Sequence, residues 1–302
     1  MSNIWIEKYR PKTFDEVVGN EDIVNELKEL VKSKNIPHII FEGEPGVGKT
    51  TLAHVVANEL GIKDVLEINA SDERGIDTVR DRIKTYARTK SLYGLKIIIL
   101  DEADFITSEA QHSLRRIMEK YSTNCRFIFT CNYISKIIVP LQSRCRVFSV
   151  RKLKKEDLIK ITKRICEKEG IQISDEDMEQ LIAFSNGDAR FIINNLQSGT
   201  VNGKFSFPKI DYGNVKSFID LVKAGKIPSA RIEMNKFLSR MKPKSFLKLL
   251  YDYFLENPTE MPKRKADLFL LFAEYEYTLS FSDYPEIQML GFVIKVARLF
   301  SS

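Results

Sequence analysis

Hydrophobic and polar positions along the chain follow two rhythms that change over near residue 152. Before it, short apolar runs recur at His38-Ile39-Ile40-Phe41, Val65-Leu66-Glu67-Ile68, Lys96 to Leu100, Arg126 to Thr130 and Arg146 to Val150. Runs that stay apolar without alternating suit strands buried on both faces, as in a parallel sheet. Between them the period is helical; from Thr51 to Leu60, for example, Leu52, Val55, Val56 and Leu60 share one face. The alternation predicts a parallel sheet flanked by helices. Beyond residue 152 the strand rhythm stops. Ser174-Asp175-Glu176-Asp177 reads as a capping box opening a helix through Ala183, and Asn186-Gly187 as its stop. A small helical module is therefore expected over 153–212, its last part a linker-like stretch from Gly199 to Gly213. From Asn214 to Ser302 the period is helical again, with Phe246, Leu247, Leu249, Leu250, Tyr253 and Phe254 on one segment and Leu290 to Phe300 on another. That apolar content exceeds what one small bundle needs, which suggests an oligomer interface; a self-contained bundle is the alternative.

The first apolar run leads directly into Gly43-Glu44-Pro45-Gly46-Val47-Gly48-Lys49-Thr50, followed by Thr51 and the helical stretch. This spacing fits the phosphate-binding loop G-x-x-x-x-G-K-[ST] in its required strand-loop-helix setting. Glycines let backbone N–H groups wrap a triphosphate, Lys49 reaches its β- and γ-phosphates, and the Thr50 hydroxyl can ligate Mg²⁺. The helix start adds favourable partial charge. The Lys96–Leu100 run ends in Asp101-Glu102-Ala103-Asp104, which delivers carboxylates to the carboxyl edge of a buried strand. There Asp101 can hold Mg²⁺ through water and Glu102 can polarise an attacking water. A nucleoside triphosphate with Mg²⁺ is thus the expected ligand.

Composition narrows the classes. The chain has 302 residues, 43% hydrophobic and 29% charged, the balance of a protein with real cores. No apolar run reaches the roughly 18 residues of a membrane span, and the polar start from Ser2 to Lys12 is unlike a signal peptide, so an intracellular protein without a membrane partner is expected. Cys125, Cys131, Cys145 and Cys166 lack C-x-x-C pairing and histidine partners, which argues for reduced thiols and against zinc. A net charge of +6 permits nucleic-acid binding without specifying where.

Position settles on one helix. Arg80, Lys84 and Arg88 follow at four-residue steps, and like charges at that spacing cost about 0.2–0.5 kcal/mol per pair in an isolated helix. A phosphate backbone would offset that cost and needs no base reading. A solvated face relieved by Asp77 and Asp81 is the alternative.

Taken together, Trp5-Ile6-Glu7-Lys8-Tyr9-Arg10-Pro11, the phosphate loop, Asp101-Glu102-Ala103-Asp104, Thr130-Cys131-Asn132, Ser143-Arg144-Cys145 and Gly187-Asp188-Ala189-Arg190 resemble the small subunits of replication factor C, the sliding-clamp loader of archaea and eukaryotes. Glu44 and Val47 depart from the family's more usual Pro and Thr, but no glycine, Lys49 or Thr50 is lost. The resemblance implies an α/β P-loop AAA+ domain over 1–152, a helical lid over 153–212 and an all-α collar over 213–302. It implies Asn132 as sensor 1, Arg144 as an arginine finger acting in trans on a neighbour's ATP, and Arg190 as sensor 2. Tyr9, Arg10, Pro11, Val17 and Val18 would wall the adenine, with Trp5 packing rather than stacking on the base. The Arg80, Lys84 and Arg88 face would follow duplex DNA. Leu92 and Tyr93 would anchor on the clamp, with ordinary core packing as the alternative. The implied partners are the replication factor C large subunit and further small subunits in a pentameric ring, a sliding clamp and primer-template double-stranded DNA, with ATP hydrolysis driving clamp loading. The location would be cytoplasm and nucleoid, or nucleus. Two rivals stay open: another DNA-acting AAA+ motor for branch migration or initiation, and a subunit that holds nucleotide without hydrolysing it.

Overall fold

The three inner strands of the sheet are apolar runs packed on both faces, while the two edge strands carry exposed Glu67, Arg146 and Ser149. The computed structural model describes residues 4–71, 76–91, 94–207, 212–239 and 241–301, with backbone alone over 76–80 and 212–213. The chain divides after Phe207 into two compact units. The first begins with a short helix α1 (Trp5–Lys8) and continues through α2 (Glu21–Lys32), β1 (His38–Glu42), α3 (Lys49–Glu59), β2 (Val65–Asn69), α4 (Ile76–Arg88), β3 (Lys96–Asp101), α5 (Ser108–Lys120), β4 (Cys125–Cys131), α6 (Val139–Gln142) and β5 (Cys145–Ser149).

The strands form a five-stranded parallel sheet in the order β2-β3-β4-β1-β5. Ile39, Phe41, Ile97, Ile99 and Ile128 enter the core shared with Leu27 of α2 and Leu52, Val55 and Val56 of α3. Their neighbours Ile40, Ile98, Leu100, Phe127 and Phe129 enter the opposite core with Ile83 and Ala87 of α4 and Leu114, Ile117 and Met118 of α5. Adjacent residues on a strand point to opposite faces, so two buried faces demand runs without polar alternation. The order also brings β4 between β1 and β3. Ile39 pairs with Ile128, and Ile99 with the same residue from the other side, which collects the carboxyl ends of all three strands at one edge.

The same unit continues into α7 (Lys155–Glu169), α8 (Asp175–Ser185) and α9 (Ala189–Gly199). Ser174 caps α8 by accepting from the Asp177 N–H at 3.1 Å, and Asn186 ends it in the left-handed region at φ 49°. Leu158, Ile161, Ile165, Leu181, Ile182, Ile192 and Leu196 form the core of these helices, joined by Tyr9 from the N-terminal segment. The first part of the stretch read as a linker, 199–207, is structured, and 208–211 lie outside the described residues. Strands β6 (Thr200–Val201) and β7 (Lys204–Phe205) form a small antiparallel hairpin, and Phe205 of β7 and the following Phe207 are buried in the core of these helices. Two bulky rings that need burial override the local turn signal there.

The second unit holds α10 (Tyr212–Lys223), α11 (Ile227–Leu238), α12 (Pro243–Glu256), α13 (Lys265–Thr278) and α14 (Pro285–Ser301). Its core is aromatic: Phe237 stacks on Phe246 at 4.8 Å between centroids, and Phe272 meets Phe292 at 5.0 Å. Leu270, Tyr277, Phe281, Tyr284 and Ile287 remain exposed. Among the described residues no helix is long and apolar enough to cross a membrane.

Candidate nucleotide-binding cleft

The loop between β1 and α3 is built at the limit of steric tolerance. Gly43 has φ 149°, and a Cβ there would lie 2.3 Å from the Val150 carbonyl oxygen; at Gly46, with φ 80°, it would lie 2.0 Å from Asp188 Oδ1. Only glycine fits either place. The turn presents the first N–H groups of α3, which have no partner inside the helix and favour an anion. Lys49 is buried, and its ammonium donates to the carbonyls of Gly43 at 2.9 Å and Glu44 at 2.8 Å and to Asn132 Oδ1 at 2.9 Å. Burial lowers its pKa and the nearby Asp101 opposes that shift. Three acceptors around one ammonium satisfy it completely, and each is of a kind that phosphate oxygens can replace.

Next to Lys49, the Thr50 hydroxyl donates to the Asp101 carboxylate at 2.9 and 3.1 Å. Thr130, buried at the end of β4, donates its hydroxyl to the same carboxylate and accepts the Glu102 N–H at 3.2 Å. Glu102 itself lies in the left-handed region at φ 55°, a conformation that costs a non-glycine residue about 1 kcal/mol and turns the chain sharply out of β3. A hydroxyl and a carboxylate are hard oxygen donors, so the Thr50 and Asp101 pair fits Mg²⁺.

These groups line one end of a cleft whose lining includes Pro45 to Thr51, Asp101, Glu102, Asn132 and, from the start of α9, Arg190. Gly43 and Glu44 are not among the lining residues and act on the cleft through the carbonyls that hold Lys49. The other end is apolar and is lined by Tyr9, Pro11, Val17 and Val18 with Arg10, and also by Ile6, Leu153, Ile161 and Ile193. Trp5 is not among the lining residues; it meets Tyr9 edge-on at 6.1 Å. The N-terminal segment is tied to the helices beyond residue 152. The Tyr9 hydroxyl and the Lys8 ammonium each donate to Glu169 at 2.5 Å, and the Trp5 N–H donates to Gln197 at 3.0 Å. Hydrogen bonds from Lys8 and Tyr9 hold the Glu169 carboxyl below its ordinary pKa.

Residues 39–153 match the model of the ATPase family associated with various cellular activities, and residues 158–217 match the RFC1-like AAA+ ATPase lid domain. The replication factor C small subunit of Staphylothermus marinus is 39% identical over 312 residues, spanning 98% of this chain and 95% of the relative. The chain belongs to the replication factor C small-subunit family. The small subunit of Methanococcus vannielii is 45% identical over 252 residues, 79% of this chain and 80% of the relative. Among solved structures, the RuvB Holliday junction branch migration motor of Thermotoga maritima superposes with a TM-score of 0.54 at 21% identity, over 63% of this chain and 64% of that one. A RuvB mutant from the same source reaches 0.58 at 18% identity, over 94% and 92%. At such identities the likeness is one of fold.

Arg144, Lys84 and Arg88 are not among the residues that line the cleft. Arg144 follows α6, and its guanidinium donates to Glu119 at 2.8 Å and to the Pro140 carbonyl at 2.7 Å rather than reaching its own Lys49. On α4, Lys84 and Arg88 are exposed while Ile83 and Ala87 face the core. Arg80 shares that helix, with its side chain outside the described residues, as are Leu92 and Tyr93. Sequence reasoning missed Thr130, Cys131, Asn20 and Arg164 among the residues that line the cleft. Thr130 carried a signal only in its place before Asn132 on a strand, and Arg164 carried none, since basic residues punctuate that helix throughout.

Proposed function

We propose that this chain is an ATP-hydrolysing subunit of a sliding-clamp loader. The observation that carries the reading is the gathering of Lys49, Thr50, Asp101, Glu102, Asn132 and Arg190 in one cleft, in a chain of this family. Lys49 exchanges its carbonyl partners for the β- and γ-phosphates of ATP, while the loop N–H groups and the start of α3 hold the remaining charge. Thr50 and Asp101 would hold Mg²⁺, which when bound supplies charge neutralisation between the phosphates. Glu102 polarises the attacking water and the Asn132 amide orients it. Arg190, carried by the lid, responds to the γ-phosphate. Arg144 lies outside its own cleft, as a finger serving a neighbour's ATP must, so hydrolysis needs a second subunit.

In this reading residues 1–152 are the AAA+ domain, 153–212 the lid and 213–302 a collar whose exposed Leu270, Tyr277 and Phe281 meet other subunits of a pentameric ring. That ring contains the large subunit and further small subunits. Lys84 and Arg88, with Arg80, follow the backbone of primer-template DNA, and Leu92 and Tyr93 engage the clamp. ATP favours the state that opens the clamp, and hydrolysis releases it closed on DNA. The protein acts inside the cell, where DNA is replicated.

The test is steady-state ATPase activity of the chain with a large subunit, with and without primer-template DNA and clamp. Joint stimulation by clamp and DNA is the expected outcome. Stimulation by DNA with indifference to the clamp would transfer the assignment to another DNA-acting AAA+ motor, and no turnover in the assembled ring to a nucleotide-holding scaffold.

A further inference from the structure

The cleft has two chemically different ends, and two arginines lie at the wrong one for phosphate. Lys49 and Arg190 accompany the phosphate loop, whereas Arg164 shares the apolar end with Val17, Val18 and Ile161. Arg164 is carried by α7, one helical turn beyond Ile161, and is half-buried. Its guanidinium donates through Nη1 to the Glu16 carbonyl at 3.0 Å, so it spans from the lid helix to the segment that carries Val17 and Val18. Arg10, the other arginine at this end, is matched by Glu7 at 2.6 Å. For Arg164 no carboxylate lies within ion-pairing distance among the described residues. A guanidinium has five N–H donors in a rigid plane, and one carbonyl occupies one of them.

We propose that Arg164 contacts the nucleoside part of the bound nucleotide and sets affinity for it, separately from the groups that hold the phosphates. This rests on the reading of the cleft as an ATP site. The apolar walls suit a flat heteroaromatic base, which buries well but needs donors for its ring nitrogens and for the ribose hydroxyl oxygens. Arg164 supplies those donors, and its planar group can stack on a base where a lysine cannot. Because the same side chain holds the Glu16 carbonyl, a nucleoside there draws α7 and the Phe14–Val17 turn onto itself from both sides.

The experiment compares binding of ATP and of tripolyphosphate, which has the phosphates and no nucleoside, by calorimetric titration of the full chain. Arg164→Met keeps the apolar stem and removes every donor. Its expected effect is a loss of about tenfold or more in ATP affinity with tripolyphosphate affinity kept within about twofold, the size expected when a few charge-assisted hydrogen bonds are removed. A purely structural role would weaken both ligands together, and that result, or unchanged ATP affinity, overturns the proposal. If Arg164→Met does not fold, Arg164→Lys carries the same comparison, since it keeps the charge and loses the plane. Wild-type chain that binds neither ligand overturns the ATP-site reading along with this one, whereas intact wild-type binding with an indifferent Arg164→Met overturns this one alone.

Discussion

A half-buried base at the start of β1 makes the clearest residue-scale prediction. His38 Nδ1 accepts the Phe127 N–H at 3.0 Å, and burial, with help from Arg126, pushes its pKa down to about 4. The unfolded histidine protonates near 6.5, so between there and about 4 the unfolded state binds a proton that the folded state refuses. Stability therefore falls as pH falls through that window. Denaturant titrations should find that His38→Gln loses about 2 kcal/mol less than wild type between pH 8 and pH 5, after allowance for its lower starting stability. Parallel losses in the two proteins would remove His38 as the cause. The phosphate-loop glycines belong to the same scale: their role was legible because one loop, read with its flanking strand and helix, specifies its own backbone path. Thr130 was not legible, because its partner Asp101 is 29 residues away in sequence and meets it only across neighbouring strands.

At the scale of the element, α4 carries two requirements on two faces. Ile83 and Ala87 hold it against the sheet, while Lys84 and Arg88 stay in solvent. Replacing both cations by alanine should leave folding intact and weaken DNA binding uniformly across sequences. The slope of log affinity against log salt should shrink by about 0.9 for each phosphate that the protein no longer neutralises. An unchanged slope, measured on duplex DNA with the assembled protein, would remove this face from the DNA surface. The helical period of α4 was readable because charge and apolar spacing agree. The hairpin of β6 and β7 was not, since its strands are two residues each and are held by the burial of Phe205 and Phe207 and by hydrogen bonds to the distant Gln172.

The arrangement of Arg144 is a whole-molecule matter. Within one chain it is occupied by Glu119 and Pro140, so its proposed target is another subunit's ATP. Lys49→Ala and Arg144→Ala should each abolish turnover, the first by losing nucleotide and the second with nucleotide still bound. Mixed in equal amounts as assembled oligomers, they should recover activity, because about one neighbour pair in four unites an intact loop with an intact finger. A mixture as inactive as its components would place the finger in cis or elsewhere.

The sequence by itself determined those features whose atoms lie within a few residues of one another. Gly43 to Thr50 specifies a phosphate loop, the apolar runs specify the strands of the sheet, and Ser174 and Asn186 specify where α8 starts and stops. Each rests on local backbone geometry and burial, which a linear pattern records. Tertiary structure alone decided the rest. The strand order β2-β3-β4-β1-β5 puts Asn132 against Lys49 across 83 residues and Thr50 against Asp101 across 51. The packing of α7 carries Arg164 to Glu16 across 148 residues. Such pairs leave no mark in spacing, because the distance between them is set by which elements pack together and not by the chain that joins them.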